Sequence, residues 1–140
     1  MLADLERLFT LIALNCALRN GDAHLKNFGI TYDDVLGEAR LAPVFDLVTT
    51  GVYLPNDSMA LTLNGTTNWP EAKALCRLGE TRMHGPTAKN RQIQERIADA
   101  LAETAPELRE HFRAHPDFAE VGGRMLQEWE KGRKLSLETG

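Results

Sequence analysis

The chain reads as a mainly α domain of the α+β type, with amphipathic helices around one small β-hairpin. Three observations point that way. Apolar residues recur at helical spacing through residues 2–18, 69–78, 87–103 and 118–134. The clearest strand-like runs, 28–32 and 40–45, lie close together with a turn between them. With 43% hydrophobic and 26% charged residues in a chain of 140, usage is ordinary for a globular protein, and the length suits one domain with a modest core.

Residues 2–18 form the first expected helix. Leu5, Phe9, Ile12 and Cys16 make a stripe that Leu8 and Leu11 widen. Little that is polar interrupts Leu8–Ala13, so this helix is expected at the centre of the core. Gly21 suits a left-handed stop behind it. Phe28–Tyr32 and Arg40–Phe45 are the expected strands, joined by 33–39 with Gly37 at the turn. Pro43 lacks a donor N–H, which makes the second strand an edge or ends it. Residues 47–70 carry Thr49, Thr50, Gly51, Pro55, Asn56 and Asp57 and read as a surface loop. One more short strand is expected at Met59–Leu63, closed by Asn64-Gly65. Trp69 reads as a packing residue.

Trp69–Leu78 is a short expected helix ending at Gly79, and Thr87–Glu103 a longer one. Thr104-Ala105-Pro106-Glu107 has the form of a capping box with Pro in the first turn, which predicts a fresh helix ending near His115-Pro116. Phe118–Lys134 is the last helix, with Val121, Met125 and Trp129 four apart. The pair Gly122-Gly123 falls inside it and reads as a local irregularity of the helix, not as a phosphate loop.

Charge and composition bound the function. A net charge of −4 argues against direct nucleic-acid binding, which rests on neutralising phosphates with Lys and Arg. Cys16 and Cys76 lie on apolar helix faces without a CxxC or a zinc spacing, and read as buried free thiols. His84, His111 and His115 have no partners at metal spacing and read as surface or cap residues. Charges at Asp4, Glu6 and Arg7 break what would be the apolar core of a signal peptide, and no apolar run reaches membrane-spanning length. A cytoplasmic location is therefore expected.

The chemistry concentrates in Asn20-Gly21-Asp22-Ala23-His24-Leu25-Lys26-Asn27 and in Asp46, within Pro43-Val44-Phe45-Asp46-Leu47. Phosphoryl transfer to a hydroxyl needs a carboxylate to orient the nucleophile and take its proton, and an Asn and a further Asp to hold Mg²⁺ on the nucleotide phosphates. Asp22, Asn27 and Asp46 can fill those roles in that order. Asp22 or Asn27 alone is explained by turn chemistry. The full set, with His24, Lys26 and Asp46, asks for more than a turn. A hairpin over 28–45 would bring Asn27 and Asp46 together at its open end, within reach of one ion that takes oxygen ligands.

This pattern resembles the HipA family of serine/threonine kinases, the toxins of HipA–HipB toxin–antitoxin pairs. Carried over position by position, the resemblance implies Asp22 as catalytic base and Asn27 and Asp46 as Mg²⁺ ligands. It implies His24 and Lys26 as catalytic-loop residues that order the loop or face the ATP phosphates. Thr49, Thr50 and Ser58 would fall in the activation-segment region. A HipB-like antitoxin, a protein substrate and ATP as co-substrate are the implied partners. A complete kinase also needs a lobe with a phosphate-cradling loop and a strand Lys. The chain lacks these, so residues 1–140 are expected to be a single HipA-like C-terminal lobe, a poor kinase alone. Two other classes stay open. One is an interaction module that binds an antitoxin, a separate N-terminal lobe or itself. The other is a phosphotransferase for small molecules, which could use the same Asp–Asn–Asp set.

Overall fold

A computed structural model of the chain describes residues 1–139. Four helices carry the fold: α1 (Leu2–Ala17), α2 (Ala72–Met83), α3 (Thr87–Ala114) and α4 (Pro116–Gly132). A π-helical turn, Arg133–Leu137, follows α4. Two strands, β1 (Ile30–Thr31) and β2 (Arg40–Leu41), form an antiparallel hairpin with Ile30 opposite Leu41 and Thr31 opposite Arg40.

Helix α1 is the central element, as its sequence leads one to expect. Phe9, Ala13 and Ala17 are fully buried and meet Leu75 and Leu78 of α2, Ile93, Ile97 and Leu101 of α3, and Leu137 of the last turn. Gln94 ties the end of the chain to this core. Its Nε2 donates to Ala72 O and Ser136 O, both at 3.0 Å, while Ser136 Oγ donates to Pro70 O at 2.7 Å. The Gln94 Nε2 and Ser136 Oγ donors are thereby satisfied in the core, while Gln94 Oε1 is buried with no hydrogen-bond partner among the described residues.

Several boundaries differ from the sequence reading, each for a physical reason. Gly79 does not end α2. The helix runs on to Met83, and His84 takes the left-handed cap conformation (φ 56°), with Gly85 N–H donating back to Gly79 O. Gly79 is there for space, since a Cβ would stand 2.5 Å from Asn90 Nδ2 and 2.9 Å from Phe9 Cε2. Nor does a new helix start at Thr104. Helix α3 runs through Pro106, and Thr104 Oγ1 bonds back to Ala100 O at 2.7 Å instead of capping. Tertiary packing decides this: Ile93, Ile97 and Leu101 continue through half-buried Leu108 to buried Phe112. The carbonyl that Pro106 leaves without a donor, that of Ala102, belongs to an exposed residue.

The strands are two residues each, shorter than the sequence suggested, and they are largely exposed. Met59–Leu63 is not a strand. It contributes one bridge, Leu63 to Thr66, around a turn in which Asn64 and Gly65 both have positive φ. Among the described residues no helix is long and apolar enough to cross a membrane.

Candidate active site

The end of α1 leads directly into the motif. Arg19, not Gly21, takes the left-handed conformation (φ 56°) that turns the chain out of the helix. Gly21 serves close approach instead: a Cβ there would stand 2.0 Å from Asp57 Oδ2. Asn20 is 2% exposed and is the hub of the loop. Its Nδ2 donates to Asn15 Oδ1 at 2.7 Å and to the Asp46 carbonyl at 3.3 Å, and its Oδ1 accepts the Asp22 N–H at 3.2 Å. Asn15 is itself anchored, its Nδ2 bonding Leu11 O at 2.9 Å within α1. A chain of buried amides therefore runs from the core helix to the backbone of both Asp22 and Asp46.

Asn27 sits in a single 3-10 turn, Leu25–Asn27, ahead of β1. It is buried and closes the loop on itself, with Asn27 N–H donating to His24 O at 2.9 Å and His24 N–H to Asn27 Oδ1 at 3.1 Å. Its Nδ2 reaches across the hairpin to Asp46 Oδ2 at 3.0 Å. Asn27 and Asp46 are thus in contact, although neither is on a strand. Both lie beyond the open end of the hairpin, Asp46 in an irregular stretch with φ 57°. The strand ladder itself, Ile30–Thr31 with Arg40–Leu41, stops short of both.

The remaining motif residues differ in their surroundings. Asp22 and Lys26 are exposed, and neither side chain makes a hydrogen bond or ion pair among the described residues. The His24 backbone N–H and carbonyl both bond Asn27. The ring Nδ1 of His24 is buried with no hydrogen-bond partner. Among the described residues no three His, Cys, Asp or Glu side chains gather in a metal cluster.

One part of the site is not visible in the sequence. Thr50 Oγ1 accepts the Gly21 N–H at 2.7 Å and lies 2.5 Å from Asp57 Oδ2, bracing the loop one residue before Asp22. Trp69 Nε1 donates to Asp57 O at 2.9 Å, and the Arg19 guanidinium stacks on the Trp69 ring, 5.1 Å from its centroid. Burial lowers the Arg19 pKa from its usual value, and neighbouring Glu128 opposes that shift. Thr49 Oγ1 accepts from Trp129 Nε1 at 2.8 Å. Both threonine hydroxyls are thus engaged in internal bonds. No local signal marks Asp57 as the partner of Gly21, because the contact spans 36 residues and depends on the loop path.

Beside this loop opens an apolar cleft of about 250 Å³. Leu8 and Ile12 of α1, Ala23 and Leu25 of the loop, Leu61 and Trp69 line it, among others.

Comparison with known proteins shows the family. A family model described as HipA-like C-terminal domain matches residues 1–108, which include the whole motif and Asp46. Over 112 residues the chain is 28% identical to a protein of Sinorhizobium fredii named "Putative kinase Y4dM", an alignment covering 80% of this chain and 25% of that protein. The chain therefore spans about a quarter of that curated relative's length. On the family match, supported by the relative, this chain belongs to the HipA-like C-terminal domain family.

Proposed function

We propose that the chain is the catalytic-loop lobe of a HipA-like kinase that transfers the ATP γ-phosphoryl group to a Ser or Thr hydroxyl of a protein, as the toxin of a toxin–antitoxin pair. The observation that carries this reading is the 3.0 Å contact of Asn27 with Asp46, on a loop whose next polar side chains are Lys26, His24 and Asp22. Asp22 is the proposed base: the substrate hydroxyl gives it a proton as the oxygen attacks the γ-phosphorus. The bond to the β–γ bridging oxygen breaks, and ADP leaves with that electron pair. Lys26, exposed and unpaired among the described residues, offsets phosphate charge. Positioning and electrostatics do most of the catalysis in this chemistry, so a rigid loop matters more than any single acid.

Mg²⁺ fits the donors present, a carboxylate and an amide oxygen, both hard ligands. When bound it would neutralise phosphate charge. Asn27 Oδ1 accepts the His24 N–H and Asp46 Oδ2 accepts from Asn27 Nδ2, and each oxygen keeps further acceptor capacity for an ion. In the structure that amide N–H occupies the place of a positive partner for Asp46. Calorimetric titration of Mg²⁺–ATP into the whole chain tests the reading. Binding that Asp46→Asn abolishes and Asp22→Asn largely spares supports it. Binding that Asp46→Asn leaves unchanged refutes the metal assignment.

A second reading has its own observation. Val35 and Leu36 at the hairpin tip are 84% and 95% exposed, and Phe45, Val48, Tyr53 and Leu54 are exposed nearby in sequence. Exposed apolar residues in such number mark partner surfaces. On this reading the chain binds a HipB-like antitoxin, a separate N-terminal lobe or a second copy. Sedimentation analysis that finds only monomer, with no titratable partner, counts against it.

A further inference from the structure

We propose that the apolar cleft beside the catalytic loop receives one bulky apolar side chain, such as Leu, Met or Phe, from the polypeptide that carries the acceptor hydroxyl. The proposal rests on the kinase reading above and adds what that reading lacks, a determinant of which hydroxyl is chosen.

Three features support this occupant. The first is continuity with the reacting loop. Ala23, the residue after Asp22, lines the cleft, and so does Asn20, which accepts the Asp22 N–H. A side chain seated there belongs to a residue near the one presented to Asp22. The second is size and polarity. A volume of about 250 Å³ takes a single large side chain, and no charged residue lines the walls. An acidic or basic side chain would lose its hydration without gaining a partner. The third is the backbone of the far wall. Met59 N–H bonds Thr67 O at 2.9 Å, and Leu63 pairs with Thr66. Between them Ala60, Leu61 and Thr62 engage no backbone hydrogen bond among the described residues. A wall with free N–H and C=O groups beside an apolar hollow suits an extended peptide, which gains affinity from main-chain bonds and specificity from the pocket.

The test is fluorescence anisotropy with the whole chain and labelled Ser-centred peptides in which one flanking position at a time is Leu, Ala or Asp. Leu at one flank is expected to bind about tenfold more tightly than Ala, the scale set by burying most of a leucine side chain, and Asp there is expected to bind weakest. Leu61→Glu should remove the Leu preference and Leu61→Met should retain it. Unchanged circular dichroism and Mg²⁺–ATP affinity would show that both variants fold. Equal affinity for Leu and Ala at every flank overturns the proposal. So does failure of every Ser-centred peptide, which would return the cleft to another part of a longer chain. Self-association that Leu61→Glu abolishes would give the cleft to a second copy and overturn it too. Mg²⁺–ATP binding without a Leu preference leaves the kinase reading standing and removes only this one. A Leu preference without Mg²⁺–ATP binding overturns the placement of the pocket beside a phosphoryl-transfer site.

Discussion

Replacing Asn20 with Ala should destabilise the protein by about 3 kcal/mol, and its effect should reach both carboxylates of the candidate site. The 2.7 Å bond to Asn15 Oδ1 lies between two buried side chains, so its loss counts about 1 kcal/mol and strands the Asn15 oxygen at a further 1–2. The bonds to the Asp46 carbonyl and the Asp22 N–H involve exposed residues that water can reach, so together they add under about 1 kcal/mol. Typical domains hold about 5–15 kcal/mol in all, so the variant should still fold. Asn20→Asp should be worse than Asn20→Ala, because it sets a carboxylate against two acceptors, Asn15 Oδ1 and the Asp46 carbonyl. Urea unfolding followed by circular dichroism gives the differences. In an Asn15→Leu background, which has neither that bond nor an oxygen to strand, the cost of Asn20→Ala should fall by about 2–3 kcal/mol. If Asn20→Ala lies within about 0.5 kcal/mol of the parent, or Asn20→Asp is the milder change, the hub assigned to Asn20 is wrong.

Gly79→Ala sets helix propensity, which favours Ala by about 1 kcal/mol, against a Cβ 2.5 Å from Asn90 Nδ2. That nitrogen bonds Cys76 O and Gly85 O at 3.3 and 3.1 Å, so a net loss of about 2 kcal/mol in urea unfolding is expected. Pro106→Ala restores a helical N–H at an exposed site in α3 and should raise stability by about 2 kcal/mol; a lower midpoint would mean that Pro106 shapes the helix. Burial pushes the Cys16 thiol up from 9.0 to about 12. The unfolded thiol ionises first, so stability should decline as pH rises from about 9 towards 12, and less steeply in Cys16→Ala. At pH 8 a thiol reagent should spare Cys16 until the protein unfolds. Glu130 is held down at about 2, chiefly by its hydrogen bond to Arg133. Its contribution is present above the ordinary value of 4.5 and is lost as pH falls from there through about 2. Glu130→Gln should flatten acid unfolding over that window.

What the sequence disclosed follows from how local each determinant is. The stripe Phe9, Ile12, Cys16 sufficed to mark α1 as central, because periodicity reports a buried face directly. The meeting of Asn27 and Asp46 was legible from the strand runs between them, since a hairpin returns its ends to one place. The failures came where local and tertiary signals conflict. Thr104-Ala105-Pro106-Glu107 is a helix start by composition, yet the buried stripe from Ile93 to Phe112 carries the helix through it. Gly79 looked like a stop because a glycine required for packing and one required for φ are the same letter. Asp57 gave no signal at all, its value lying in a contact with Gly21 that only the loop path creates.

The distribution of strained backbone points to where the fold spends stability. Four described non-glycine residues have positive φ: Arg19, Asp46, Asn64 and His84. Asn64 needs no special cause, since the Asn64-Gly65 turn favours that conformation, and His84 stands at a helix cap where it is common. Arg19 ends α1 in the same way, with Asn20 N–H bonding Asn15 O at 3.0 Å and Arg19 N–H bonding Cys16 O at 3.3 Å. Asp46 stands in an irregular stretch away from any helix end, and the two meet at one residue. Arg19 immediately precedes Asn20, and the Asp46 carbonyl accepts a bond from Asn20 Nδ2. Conformations of this kind persist only when their surroundings over-determine them. Here the surroundings are the Asn15–Asn20 amide chain on one side and the Thr50–Asp57 brace at Gly21 on the other. The amide chain thus holds the Asp46 backbone beside its contact with Asn27, and a separate brace holds Gly21 beside Asp22. On the kinase reading, these two networks hold the backbones of Asp22 and Asp46 in place before a substrate arrives.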